Sequence, residues 1–244
     1  MAQRLVMAGQ VRVNGEILAK SSEKLAIDTV LEVKELPRFV SRGAHKLEAA
    51  LNSFGLEVMH LICADVGAST GGFTDCLLQY GAKKVYAIDV GSKQLHWKLR
   101  SDDRVIVMEQ TNARHLQTLP ELMDFVSIDA SFISLKLLLP QVVKWLQPQG
   151  EVIALIKPQF EAGKEEADKG KGVIRDPNVH KRVLWEIFQF AQEGSFFVLG
   201  LMLSPVRGPK GNREFLVHLA REGEDAKDLE ILVKEAVEQV KNED

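Results

Sequence analysis

Only two cysteines, Cys63 and Cys76, occur in 244 residues, and no CxxC, HExxH or comparable spacing is present. This excludes a disulfide framework and a recognisable metal centre, and both thiols are expected to be reduced and structural. No stretch approaches the roughly 18 consecutive apolar residues that a membrane helix needs. The opening segment "MAQRLVMAGQVRVNGEILAK" also lacks the apolar block of a signal peptide. The chain therefore reads as soluble and cytoplasmic, with no membrane partner. A strong excess of positive charge is missing too: the net charge of −3 argues against indiscriminate binding to nucleic acid. The charges are unevenly placed, however, with a net of −5 over residues 220–244 and +3 over residues 1–46.

What is present is a hydrophobic content of 45%, enough for a real core, arranged in an alternating pattern. "LICADVG", "KVYAIDVG", "RVIVMEQ", "DFVSIDAS" and "EVIALIKP" are near-continuous apolar runs, as expected for strands covered on both faces. Between them "GGFTDCLLQYGA" carries helical spacing and ends at Gly81, while "SLKLLLPQVVKWLQPQG" predicts a longer helix kinked at Pro140. Strands and helices alternating from about 60 to 157 predict an α/β fold with a doubly wound parallel sheet. "NVHKRVLWEIFQFAQEGS" predicts a further helix, and "FFVLGLMLSPVRGPKGNREFLVHLAR" two strands joined by a turn, which adds one antiparallel strand.

In such a sheet ligands bind at the carboxyl ends of the strands. The first strand-to-helix turn is "ADVGASTGGFT", in which glycines allow a tight turn and close approach of a ligand to the backbone. A nicotinamide fingerprint requires GxGxxG. Here Asp65 precedes Gly67, and Gly71 and Gly72 follow after three residues, an order that looks like the S-adenosylmethionine turn; a glycine turn that holds no ligand is the alternative. Ser69 and Phe73 belong to the same turn. Asp89, closing the next strand, is placed for ribose hydroxyls. Asn112, after the third, falls where the enzymes whose turn this resembles hold the adenine ring, or it merely caps a helix.

Four further ionisable residues stand where strands end or helices open: Lys46, Asp129, Lys157 and Glu214. Lys157 ends an apolar strand with little amphipathic room, so either its amine snorkels to water or it serves chemistry. Singly, each acid could cap a turn or pair at the surface. Four such groups on one side of one sheet point to a reacting centre.

The segments "AQRLVMAGQVRVNG", "FVSRGAHKLEAAL", "DVGASTGGFTDCLLQYGAKKVYAIDVG", "IDASFISLKLLLP", "IKPQFEAG", "KGKGVIRDP" and "RGPKGNREFL" together resemble the hemolysin A (TlyA) family, relatives of the FtsJ ribose methyltransferases. The resemblance covers almost the whole chain. It implies a Rossmann-like methyltransferase with a mostly parallel seven-stranded sheet, S-adenosylmethionine as cofactor, and ribose 2′-hydroxyls of ribosomal RNA, cytidines among them, as substrate. It also implies a Lys-Asp-Lys-Glu tetrad, falling here on Lys46, Asp129, Lys157 and Glu214. In that reading Lys157 is the base, its neutral form favoured by burial and by a second cation at Lys46. Asp129 orients its amine, and Glu214 holds Lys46. A non-catalytic RNA-binding factor that keeps the cofactor fold is the alternative. The family label also suggests direct membrane damage, but the acidic "DAKDLEILVKEAVEQVKNED" lacks the basic face of an inserting helix.

The resemblance further implies a small RNA-binding module of ribosomal-protein type at the front. Its opening helix is expected to precede the first residue of this chain, leaving residues 1–36 a partial module and residues 37–244 the methyltransferase domain. Arg4, Arg12, Lys20, Arg38 and Arg42 are candidate phosphate contacts there. Residues 158–177 form a long Gly- and Lys-rich connection, expected to be a mobile lid that orders over RNA through Lys164, Lys169, Lys171 and Arg175.

Overall fold

The structure, a computed structural model, describes residues 2–7, 9–33 and 37–243. The chain divides into two compact units, Met1–Arg38 and Phe39–Asp244. The boundary expected after residue 36 falls outside the described residues.

In the first unit, helix α1 (Ala2–Met7) is followed by strands β1 (Val11–Val13), β2 (Glu16–Ile17) and β3 (Leu31–Val33), which form an antiparallel sheet in the order β2-β1-β3. The β1–β2 turn is Asn14-Gly15, both at positive φ (50° and 83°), the conformation that matches the right-handed twist of the strands it joins. Its core is small: Val6, Val11 and Leu18 are buried.

The second unit opens with α2 (Ala44–Phe54), β4 (Ile62–Val66), α3 (Gly72–Gln79), β5 (Lys84–Ile88), the short α4 (Trp97–Arg100) and β6 (Val105–Met108). Then come β7 (Met123–Ile128), α5 (Leu139–Trp145), β8 (Leu146–Ile156), α6 (Pro158–Glu161), α7 (Lys164–Lys169), α8 (Pro177–Glu193), β9 (Phe197–Leu203), β10 (Phe215–Ala220) and α9 (Leu229–Glu243). Among the described residues the strands form one seven-stranded sheet, ordered β6-β5-β4-β7-β8-β10-β9. All neighbours run parallel except β10, which is antiparallel to both β8 and β9, as the closing hairpin predicted. The order reverses at β4, so the ends of β4 and β7 flank the point where such sheets open a crevice.

Each face of the sheet buries its own apolar cluster. Leu47, Leu51, Phe73 and Leu77 of α2 and α3 pack over one face, whereas Val142, Trp145, Leu184, Phe188, Val233 and Val240 of α5, α8 and α9 pack over the other. This two-sided burial explains the near-continuous apolar strands. Cys63 and Cys76 form no disulfide and are buried in the first cluster.

Two sequence expectations need correction. Residues 134–150 are not one kinked helix: a short 3-10 turn covers Leu135–Leu137, Pro140 stands in the first turn of α5, and β8 already begins at Leu146. Proline is favourable at a helix start, where its missing N–H has no partner to lose. Residues 158–177 are not an unstructured connection either, since α6 and α7 occupy much of it.

Candidate functional site

Lys46, Asp129, Lys157 and Glu214 come together at one cleft above the carboxyl ends of β4, β7 and β8. Lys46, on the first turn of α2, donates to Glu214 Oε2 at 2.6 Å and lies 3.8 Å from Asp129 Oδ2. Lys157 Nζ is 2.6 Å from Asp129 Oδ1 and donates to Ser131 Oγ at 2.9 Å. Glu214 also accepts from Gln159 Nε2 at 3.3 Å. Lys46, Lys157 and Glu214 are buried, and Asp129 keeps a fifth of its side chain exposed at the mouth. Lys46 is engaged by Glu214, so the charged group directly against the Lys157 amine is the Asp129 carboxylate and not a second cation.

The glycine turn forms a wall of the same cleft, with Asp65, Gly67, Ser69, Gly72 and Phe73 lining it. Asp65 is fully buried, and its Oδ2 accepts from Thr74 N (2.8 Å) and Thr74 Oγ1 (2.6 Å). Its Oδ1 is buried with no hydrogen-bond partner among the described residues. Burial, reinforced by the nearby carboxylates of Asp129 and Asp89 and opposed by the Thr74 bonds, pushes the Asp65 carboxyl up to about 7. The folded chain therefore holds a proton that the unfolded chain releases at its ordinary value of 3.8. This contribution to stability is complete below that value and is lost as pH rises through about 7. Asp65→Asn is accordingly expected to melt higher relative to the parent at pH 8 than at pH 5. An equal or smaller difference at pH 8, read by thermal melts, would contradict this reading.

The glycines themselves are required by protein as much as by any ligand. A Cβ on Gly67 (φ 86°) would lie 2.7 Å from the Asp129 carbonyl oxygen and 3.0 Å from Ala130 Cα. On Gly72 it would meet Ser41 Oγ and, at 3.0 Å, Ala44 N. Gly71 (φ 95°) is not part of the cleft wall, and its Cβ would strike the side chains of Leu99 and Leu95.

A second cleft adjoins the first, sharing Gly67, Ser69, Asp129 and Ser131 and extending to Ile88, Asp89 and Asn112. Asp89 Oδ2 accepts from Ser69 N and Oδ1 from Gly91 N, so its carboxylate also shapes the turn. Asn112 lines this cleft and caps the short 3-10 turn Ala113–His115 by accepting from Arg114 N, as its reading as a cap expects. A third cleft shares Ser131, Lys157 and Glu214 with the first and extends to Phe132, Gln159, Phe160 and Lys210. Phe132 is 90% exposed at a left-handed φ of 63°, a conformation costly for a bulky residue and concentrated at functional sites.

Sequence reasoning missed Ser131, Phe132, Gln159 and Thr74. "SIDASF" and "IKPQF" did place the first three within three residues of Asp129 or Lys157, but nothing local shows which way those side chains turn. The basic candidates are dispersed. Arg12 donates to Gly15 O; Arg12, Lys20, Arg38, Arg42, Lys164, Lys169, Lys171 and Arg175 are exposed, and none lines these clefts. The side chain of Arg4 lies outside the described residues.

The sequence pattern of the FtsJ-like methyltransferases matches residues 39–221. The chain is 48% identical to the rRNA methyltransferase candidate YqxC of Bacillus subtilis, over 94% of this chain and 83% of that one. It is 41% identical to the 16S/23S rRNA (cytidine-2'-O)-methyltransferase TlyA of Mycobacterium tuberculosis, over 97% of this chain and 90% of that one. A solved structure of a hemolysin candidate from Streptococcus thermophilus superposes with a TM-score of 0.81 at 49% identity, covering 99% of this chain and 89% of that one.

Proposed function

Since the chain belongs to the FtsJ-like methyltransferase family, we propose that it uses S-adenosylmethionine to methylate ribose 2′-hydroxyls of ribosomal RNA, cytidines in particular. The observation that carries this reading is the meeting of Lys46, Asp129, Lys157 and Glu214 where the three clefts adjoin.

The residues present suit the cofactor. The orphaned, buried Asp65 Oδ1 offers an acceptor for the methionine end, and a cation bound against it would favour the ionised form of this raised carboxyl. The adjoining cleft offers the Asp89 carboxylate for ribose hydroxyls and a wall of Ile88, Ala130 and Leu138 with Asn112 for an adenine ring. When bound, the cofactor supplies a methyl group on a sulfonium. The chain's own part is to align the acceptor hydroxyl and take its proton. Lys157 Nζ accepts that proton in its neutral form, and Asp129 and Ser131, already against the amine, stabilise the ammonium that results. Glu214 anchors Lys46, and both pin the opposite side of the site. The acceptor nucleotide enters over Phe132 and Phe160, whose rings lie 5.0 Å apart beside Lys157.

The front unit serves as the RNA-binding module, with exposed Arg12 and Lys20 toward phosphates. Helix α7 buries none of its residues and is flanked by Gly163 (φ 93°) and Gly172 (φ 83°), so it can move as a lid carrying Lys164, Lys169 and Lys171 over RNA, with Arg175 just beyond. Amide exchange across 163–172 is expected to slow on adding ribosomal subunits, and unchanged fast exchange would remove the lid from this scheme.

Tritiated methyl transfer from S-adenosylmethionine to unmodified ribosomal subunits, with nuclease mapping of the product, tests the whole reading. Label on a base instead of a ribose would refute it. Calorimetric titration with S-adenosylmethionine, with NAD as control, separates an enzyme from a binding factor that has lost its cofactor.

A further inference from the structure

The segments carrying Asp129 and Lys157 are tied together a second time, away from the reacting groups, by Glu161. This residue ends α6, which begins directly after Lys157. Its Oε2 accepts from Ser134 Oγ at 2.5 Å, and its Oε1 accepts from Leu135 N at 2.8 Å, both in the connection that follows β7. The Ser134 hydroxyl accepts in turn from Lys136 N, so its single proton is committed to Glu161. One end of the resulting ring is Lys157 on Asp129 and Ser131; the other is Glu161 on Ser134 and Leu135. Between them lies Phe132 in its left-handed conformation, against Phe160. Strain of that kind persists only where the surroundings over-determine it.

The carboxylate is not placed there cheaply. Burial raises the Glu161 carboxyl above its ordinary value, against the Ser134 and Leu135 bonds that lower it. Lys136, whose charge favours the ionised form, pairs with Glu186 at 3.0 Å. A partly buried acid that lines none of these clefts, yet commits both oxygens to one neighbouring loop, acts as a clamp.

We infer that Glu161 is a positioning residue, holding the 131–135 loop and Lys157 in one geometry so that the amine meets the acceptor hydroxyl. The inference rests on the assignment of Lys157 and Asp129 to the reacting centre. Misplacement by an ångström costs on the order of 10²-fold in an aligned reaction.

The test compares Glu161→Ala, Glu161→Gln and Lys157→Met in the full chain. Glu161→Ala is expected to lower kcat by roughly 10²-fold, with KM for ribosomal subunits and affinity for S-adenosylhomocysteine unchanged. Glu161→Gln should recover most of the rate, because its amide oxygen accepts from Leu135 N and its NH₂ donates to Ser134 Oγ. Amide exchange of the 131–135 segment, measured without substrates, should accelerate in Glu161→Ala and return towards the parental rate in Glu161→Gln. Parental kcat in Glu161→Ala, a loss confined to KM, equal losses in both Glu161 variants, or unchanged exchange would each overturn the clamp. If Glu161→Ala fails to fold, the exchange and kcat of Glu161→Gln decide: values far from parental overturn it. Full activity of Lys157→Met would instead refute the assignment of the reacting centre, and the exchange data would still report on the clamp.

Discussion

Lys157→Met is expected to fold, to bind S-adenosylmethionine, and to lose methyl transfer by the roughly 10² to 10⁴-fold that removal of a general base costs. Methionine keeps the length and apolar stem that sit at the end of β8 and deletes only the amine. What is removed is the group 2.6 Å from Asp129 and 2.9 Å from Ser131, so among the described residues the Asp129 carboxylate keeps Lys46 at 3.8 Å as an ion-pair partner. Breaking a buried pair can cost several kcal/mol, but a fifth of the Asp129 side chain is exposed and water can take the place of the amine. Lys157→Arg should not restore the rate, since a guanidinium remains protonated and cannot accept the hydroxyl proton. Single-turnover methyl transfer, with melting curves and cofactor titration on the same preparations, checks this. Activity of either variant close to the parent would remove Lys157 from the role of base.

Gly67→Ala is expected to lose both stability and activity. The left-handed backbone at φ 86° costs about 1–3 kcal/mol for a residue with a Cβ, several degrees of melting temperature in a chain of this size. The added carbon would also sit 2.7 Å from the Asp129 carbonyl oxygen, so the backbone that carries Asp129 must shift. Gly55→Ala provides the comparison: φ is 66° there and nothing lies within 4 Å, so it bears the strain alone and should retain parental kcat. Equal kcat for the two variants would show that the Gly67–Asp129 approach does not matter to the reaction. For Gly71→Val the expectation differs from the one the glycine turn suggests. The substituent meets Leu95 and Leu99, so the cost falls on packing before it falls on the cofactor.

The sequence by itself determined the periodic features. Apolar runs covered on both faces announce the parallel strands, Gly81 announces the end of a helix, and β10 is legible as the antiparallel strand from its hairpin. It also placed the four ionisable residues at element ends, because strand ends in a doubly wound sheet converge whatever the loops do. The resemblance implies that Glu214 holds Lys46, 168 residues away, and that Asp129 orients Lys157, but no local pattern encodes these pairs, because they depend on the order in which strands lie in the sheet, which the tertiary structure decided. The same holds for Glu161 reaching back to Ser134 and Leu135, and for the glycines, whose missing side chains make room for Asp129, Ser41 and two leucines. Periodicity reports which face of an element is buried; the identity of the neighbour that buries it is fixed when the layers close around the sheet.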